Sequence, residues 1–153
     1  MSSISKAGIF TDIKQLLEFT DLMTKEMCNA DRVRYGDKLV SYNLDMIANF
    51  TMAYHRRNEH IAFTVDGKSY DINIRGEKRR HVDDLEASFD CYQALMEFCF
   101  EHLTFSRMSE EKRNQRHEMF MDLMDKISSG IVKWSGSVYK QVVVSEKIGH
   151  GAG

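Results

Sequence analysis

Proline is absent from the chain. No residue therefore removes a backbone donor or forces a kink, and long helices are permitted. Long apolar runs are absent too: none approaches the roughly 20 residues that span a bilayer, so no membrane segment is expected. The first ten residues carry one lysine and no extended apolar stretch, which does not read as a secretory signal. Cysteine is scarce. Cys28, Cys91 and Cys99 make an odd set without CxxC spacing, which suggests reduced thiols and a cytoplasmic location. Neither sign of charge dominates: 21 basic and 23 acidic side chains leave a net charge of −2. That balance argues against a strongly basic nucleic-acid coat protein while leaving room for a local basic face.

What is present is periodic. A chain of 153 residues is the size of one domain and buries a core without staples. We expect a single domain over 1–148 and a disordered, glycine-rich tail at 149–153. Ile13, Leu16, Leu17, Thr20, Met23 and Met27 recur at helical spacing and predict a first helix over about 11–27, with Thr11 as its N-cap. Cys28 to Asp31 reads as a connection. Leu39, Asn43, Met46, Ile47, Phe50, Ala53 and Tyr54 form the stripe of a second helix over about 35–57, with Asn43 its one polar member.

The period then changes. His60 to Val65 alternates, Asp66-Gly67 follows, and Lys68 to Ile74 alternates again. Asp-Gly favours a two-residue type I′ turn, so a β-hairpin at about 60–75 is expected, with Val65 facing Lys68, Phe63 facing Tyr70 and Ile61 facing Ile72. That register puts Ile61, Phe63, Tyr70 and Ile72 on one face, which must pack on the helices or another subunit.

Gly76 to Arg80 reads as a basic link. Val82, Leu85, Phe89, Tyr92, Met96, Cys99 and Leu103 then repeat at 3, 4, 3, 4, 3, 4 and predict a third helix over about 82–105, packed along a left-handed seam. Ser109, followed by Glu110 and Glu111, predicts the cap of a fourth helix running to about 139. Its stripe is Phe120, Leu123, Met124, Ile127, Ile131, Trp134 and Val138, and Gly130 within it suits close approach of a neighbour. Gln141 to Val144 reads as a short strand or an extended tail. The fold class expected is all-α: an antiparallel four-helix bundle with a β-hairpin inserted between helices two and three. Five of the ten methionines, Met23, Met27, Met46, Met96 and Met124, sit on these stripes and read as core filling. Tyr42, Leu44, Met52, Leu95, Phe98, Phe100, Met119, Met121 and Val132 lie off the stripes, and a second apolar face suggests a homo-oligomer.

Catalytic and cofactor motifs are missing. Ala62 to Ser69 fits a relaxed phosphate-loop pattern, but the residues after Lys68 alternate as a strand where that loop must open into a helix. A di-iron site in a bundle needs paired Glu-x-x-His, and the residues three before His55, His60, His81, His102 and His117 are Met52, Arg57, Lys78, Cys99 and Asn114. No zinc spacing and no GxSxG motif occur, and Cys99 on the heptad reads as a small core residue. We therefore expect no enzyme activity, no cofactor and no metal.

Basic residues do cluster. Arg75, Lys78, Arg79 and Arg80 follow the hairpin, and Arg56 and Arg57, closing helix two, are expected beside them. Arg107, Lys112, Arg113 and Arg116 open helix four, at the opposite end of an antiparallel bundle. These ten are the candidate nucleic-acid-binding residues, through phosphate contacts; a solvated surface is the alternative. Arg32, Arg34 and Lys38 form a further basic set opening helix two.

Leu85-x3-Phe89-x2-Tyr92, Met108-Ser109-Glu110-Glu111 and Leu123-x3-Ile127-x2-Gly130-Ile131-x2-Trp134, with Arg34-Tyr35-Gly36-Asp37-Lys38-Leu39 opening helix two, carry a resemblance. Over roughly 16–140 the chain resembles the four-helix bundle family of accessory variability determinants from diversity-generating retroelements, which includes proteins encoded in intervening sequences of large-subunit ribosomal RNA genes. The resemblance implies a pentameric ring that binds a reverse transcriptase and RNA or DNA and supports mutagenic copying without catalysis of its own. The chain departs from that family in its slightly acidic charge and in the longer segment between helices two and three. A protein–protein scaffold without nucleic-acid binding is the alternative function.

Overall fold

A computed structural model describes residues 8–55, 59–65, 67–74, 76–103, 105 and 108–151; within these, the side chains of 55, 59–65, 68–78 and 137–151 lie outside the description. Four long helices account for most of it: α1 (Gly8–Lys25), α2 (Asp37–His55), α3 (Gly76–His102) and α4 (Glu110–Gly151). Between α2 and α3 two strands, β1 (Glu59–Val65) and β2 (Lys68–Ile74), pair antiparallel with Val65 opposite Lys68, Phe63 opposite Tyr70 and Ile61 opposite Ile72. Gly67 has φ 77°, the left-handed conformation that glycine adopts without a Cβ clash. The shared apolar face expected for this segment falls on side chains outside the described set. Because a strand follows Lys68, no phosphate-binding helix opens there.

Several helix ends differ from the sequence expectation, each for a physical reason. α1 starts at Gly8, so Thr11 lies inside the helix and is not its N-cap. The extra turn is held by packing: Phe10 stacks on Phe50 at 5.7 Å, and Ile9 lies where a Cβ on Gly130 would meet it at 3.4 Å. After α1 the chain does not remain a loop through Asp31. Cys28 is extended, Asn29–Asp31 form one helical turn, and Arg32–Gly36 form a π-helical turn that runs into α2. Gly36 is buried, and a Cβ there would sit 3.1 Å from Thr24 Cγ2, so α1 and this turn approach as closely as glycine allows.

The basic stretch from Gly76 to Arg80 is the first part of α3 and not a link. α4 extends to Gly151, well past 139, so Gln141 to Val144 is helical; Ala152 and Gly153 lie outside the described residues. Three consecutive valines favour a strand locally, but nothing in the sequence stops the preceding helix, and β2 packs against α4. At 42 residues α4 is about 63 Å long, more than twice the length of the 18-residue α1.

One core joins all four helices. The stripes read from the sequence are buried: Ile13, Leu16 and Met23 on α1, Leu39, Met46 and Phe50 on α2, Leu85 to Cys99 at heptad spacing on α3, and Phe120 to Ile131 on α4. Full burial of such side chains stabilises by roughly 1.5–3 kcal/mol each before chain entropy is opposed. Aromatic rings close both ends. Phe19, Phe100 and Phe105 gather around Phe120 near the α3–α4 corner, and Phe10, Tyr54 and Trp134 gather around Phe50 at the other end.

At mid-height the core is polar. Thr20, Asn43 and Tyr92, from α1, α2 and α3, are fully buried. The single hydroxyl hydrogen of Thr20 faces the Leu16 carbonyl at 2.7 Å, with Asn43 Oδ1 at 3.1 Å. Tyr92, with its oxygen 2.6 Å from Thr20 Oγ1, is then the donor to Thr20. Asn43 Nδ2 reaches the Ile13 carbonyl at 3.4 Å. Asn43 thus acts inside the fold, tying α2 to α1, while Thr20 carries the chain on to Tyr92 of α3. Burial pushes the Tyr92 hydroxyl far above an ordinary phenol, against the lowering effect of its Thr20 bond.

Candidate nucleic-acid interface

The basic residues at the start of α4 are placed by a capped corner. The Lys112 N–H donates to Ser109 Oγ at 3.2 Å, and the Arg113 N–H donates to the Ser109 carbonyl at 2.9 Å, so Ser109 is the N-cap that its sequence context predicts. From that start, Lys112, Arg113 and Arg116 emerge within two turns. Lys112 Nζ lies 3.0 Å from Glu26 Oε1, joining the start of α4 to the end of α1. Arg113 Nη1 donates to the Leu103 carbonyl at 3.1 Å, and its guanidinium lies 5.7 Å from the Phe105 ring centre. A helix end leaves carbonyls without intrahelical partners, and Arg113 fills that need at the end of α3. Arg116 is half-buried, with Nη1 3.9 Å from Met119 Sδ and a buried Nε that has no protein partner.

Arg79 and Arg80 are exposed on the first turns of α3. Val82 packs near Trp134 while Phe100 packs on Phe120 at 5.6 Å, so α3 and α4 run in opposite directions. The pair Arg79 and Arg80 and the set Lys112, Arg113 and Arg116 consequently sit at opposite ends of the helices and do not merge into one patch. Arg56, Arg57, Arg75 and Arg107, and the side chain of Lys78, lie outside the described set.

The set opening α2 divides in two. Arg32 does at the α1 end what Arg113 does at the α3 end: its Nε donates to the Thr24 carbonyl at 3.1 Å and its Nη2 to the Met27 carbonyl at 3.3 Å. Arg34 and Lys38 are exposed and lie over aromatic rings, Arg34 5.9 Å from Tyr35 and Lys38 5.6 Å from Tyr42. Tyr35 in turn meets Phe98 of α3 at 5.6 Å, and Phe98 meets His102 at 4.6 Å. Sequence reading placed these aromatics on separate helices and gave no sign that they meet. The available signal was the seven-residue spacing of Tyr35 and Tyr42 beside basic residues.

The exposed surface also carries an open groove of about 500 Å³ between α3 and α4, lined by Glu97, Phe100, Glu101, Arg113, Asn114, His117 and Met121. Cys99 is buried, and burial, with a smaller contribution from Asp31, raises its thiol from 9.0 to about 11, which makes it unreactive at neutral pH. Among the described residues no three His, Cys, Asp or Glu side chains come together as metal ligands, and no helix is long and apolar enough to cross a membrane. Compared with protein-family models, with curated proteins and with solved structures, the chain matches none.

Proposed function

We propose that the protein is a non-enzymatic accessory protein that assembles with copies of itself and binds nucleic acid, a reverse transcriptase, or both. In this reading the four helices are an antiparallel bundle repeated around a ring, with five chains the number implied by the sequence resemblance. The observation that carries the reading is the apolar surface left over once the core is filled. Leu22 on α1, Leu44 and Met52 on α2, and Met119, Met121 and Val132 on α4 remain exposed, Val132 by 67%. Single exposed apolar residues are ordinary, but this set lies on three helices whose other faces are already packed, which suits subunit contact. Arg79 and Arg80 are exposed at the start of α3, and cyclic repetition would turn them into a ring of positive charge. The partner class comes from the resemblance.

The test is native mass by light scattering at low and high salt, followed by binding to RNA and to single-stranded DNA across a salt series. We expect a salt-resistant oligomer with binding that weakens as salt rises. A monomer at every salt concentration, with no salt-sensitive binding and no association with a co-encoded polymerase, would sink the reading.

A protein–protein scaffold is the second reading. It is favoured by the internal use of Lys112 and Arg113 and by the net charge of −2. An oligomer that captures no oligonucleotide at any salt concentration would favour it.

A further inference from the structure

We propose that the seam between α2 and α3, where Tyr35 meets Phe98, Phe98 meets His102, and the cations Arg34 and Lys38 lie over Tyr35 and Tyr42, is a stacking site for single-stranded nucleic acid. The proposal rests on the nucleic-acid reading above and adds to it a place and a mode of recognition. None of these six residues belongs to the ten basic positions nominated from the sequence.

The seam is defined by heptad spacing. Tyr42 and Asn49 are seven residues apart and share one edge of α2, and Tyr35 lies seven residues before Tyr42 on the π-helical turn that leads into it. That edge faces α3 at both ends: Tyr35 lies 5.6 Å from Phe98, and Asn49 Oδ1 lies 3.1 Å from His81 Nδ1. Phe98 is 39% exposed and His102 is exposed beside it, while Tyr35 and Tyr42 are half-buried and thus anchored as rigid platforms. Tyr35 and Tyr42 are about 10 Å apart along the helix, a length that matches about three nucleotides of a stacked strand.

Charge accompanies the rings. Arg34 and Lys38 are exposed, and the contact described for each is a ring face. A single strand needs this pairing of a π-face for each base with a cation for its phosphate, and the pairing tolerates any base sequence. Carboxylates lie in the same stretch, with Asp45 exposed three residues after Tyr42 and Glu97 beside Phe98. Asp37 is exposed, and Glu101 is turned toward His102, with 3.7 Å between them. An acidic protein would find the same cations but would leave the row of rings unused.

The backbone adds a separate observation. Arg34 and Tyr35 sit on the π-helical turn Arg32–Gly36. Such turns are rare and recur at functional sites. Here the turn is locked from behind, by the Arg32 bonds to the end of α1 and by the close fit of Gly36 against Thr24.

The experiment is fluorescence anisotropy of the full chain with a labelled oligo-dT, a single-stranded RNA, a duplex and an abasic strand of equal length. Phe98→Leu and Tyr35→Leu keep apolar bulk and remove the ring; Arg34→Gln and Lys38→Gln remove charge; Arg79→Gln with Arg80→Gln tests the other basic end. Circular dichroism and native mass establish that each variant is folded. We expect both single strands to bind more tightly than the duplex or the abasic strand. Each ring variant should lose at least about fivefold in affinity, and each charge variant should lower the salt slope by about 0.7. Binding removed by the Arg79 and Arg80 changes but untouched by the ring variants would overturn the seam and leave the nucleic-acid reading intact. Equal binding of the abasic strand, or equal competition by polyglutamate, would overturn stacking in favour of a general anion surface. No salt-sensitive binding by the parent chain would overturn both readings.

Discussion

Two buried polar sites in this protein are built in opposite ways. At the centre, Thr20, Asn43 and Tyr92 form a hydrogen-bonded chain that joins α1, α2 and α3. Nearer the start of α3, His81 is only 5% exposed and makes one described bond, from Nδ1 to Asn49 Oδ1. Asn49 is oriented by its own bond from Nδ2 to the Asp45 carbonyl, so its oxygen faces the histidine and Nδ1 is the protonated nitrogen. Among the described residues His81 Nε2 is then a buried acceptor without a partner. A connected network under close packing gains from each member, whereas an orphaned acceptor costs stability wherever it is buried. The centre should therefore be the rigid part of the α2–α3 contact, and the start of α3 the part that opens first.

The strongest way to break this contrast is Asn43→Ala. It leaves a cavity and removes the partner of a buried hydroxyl, and we expect a loss of about 2–3 kcal/mol, read as a lower urea midpoint with an unchanged slope. Tyr92→Phe keeps the ring and removes only the donor to Thr20, so a smaller loss of about 1 kcal/mol is expected in the same assay.

The central site also sets an alkaline limit. In the unfolded chain Cys99 ionises at 9.0, but in the folded protein it holds its proton to about 11, and Tyr92 is shifted in the same direction. Above pH 9 the unfolded state sheds a proton that the folded state retains. Stability from this source is intact below pH 9 and falls as pH rises toward 11. Urea melts between pH 8 and 11 should show the decline, with a flatter profile in Cys99→Ala. Iodoacetamide at pH 8 should modify the exposed Cys28 and Cys91 and spare Cys99.

At the other site, His81→Leu removes the orphaned acceptor along with its one bond, and Asn49 is exposed enough for water to replace that bond. We expect a change within about 1 kcal/mol in either direction. A cost equal to that of Asn43→Ala would abolish the contrast. The smallest effect is expected for Lys112→Gln, about 0.5 kcal/mol for a partly exposed ion pair. Its oligonucleotide salt slope should match the parent's if Lys112 is held by Glu26.

The same contrast explains what the sequence made legible. Heptad spacing identified the α3 face from Val82 to Cys99 because each of those positions depends only on local periodicity. Phe19 and Phe100 lie beside the expected stripes and are buried as well, because a helix in a globular core buries a broader face than a strict heptad. Asn43 was legible as an exception, but its partners Thr20 and Ile13 come from another helix and follow only from the packing. Helix ends misled for a related reason. Phe10 and Ile9 extend α1 through contacts with Phe50 and Gly130, and no local signal near Thr11 reports those contacts. The candidate interface was legible as charge. Arg113 and Lys112 have internal partners in Leu103 and Glu26, and those attachments depend on where the neighbouring helices end. The ring row of Tyr35, Phe98 and His102 depends on two helices meeting, which no single helix's spacing reveals.

The turn at Arg32–Gly36 makes chain length matter at one point. A π-helical turn is arithmetically an α-helix with one residue added. Each residue of α-helix advances the chain by about 100° around the axis, so removing one here would restore regular winding only by rotating everything upstream by that angle. Gly36 would then leave its fit against Thr24, Arg32 would lose the end of α1, and Tyr35 would turn away from Phe98. Elsewhere on α2 a conservative substitution alters one contact. In these five positions a single-codon deletion would change the phase of the whole approach to the helix.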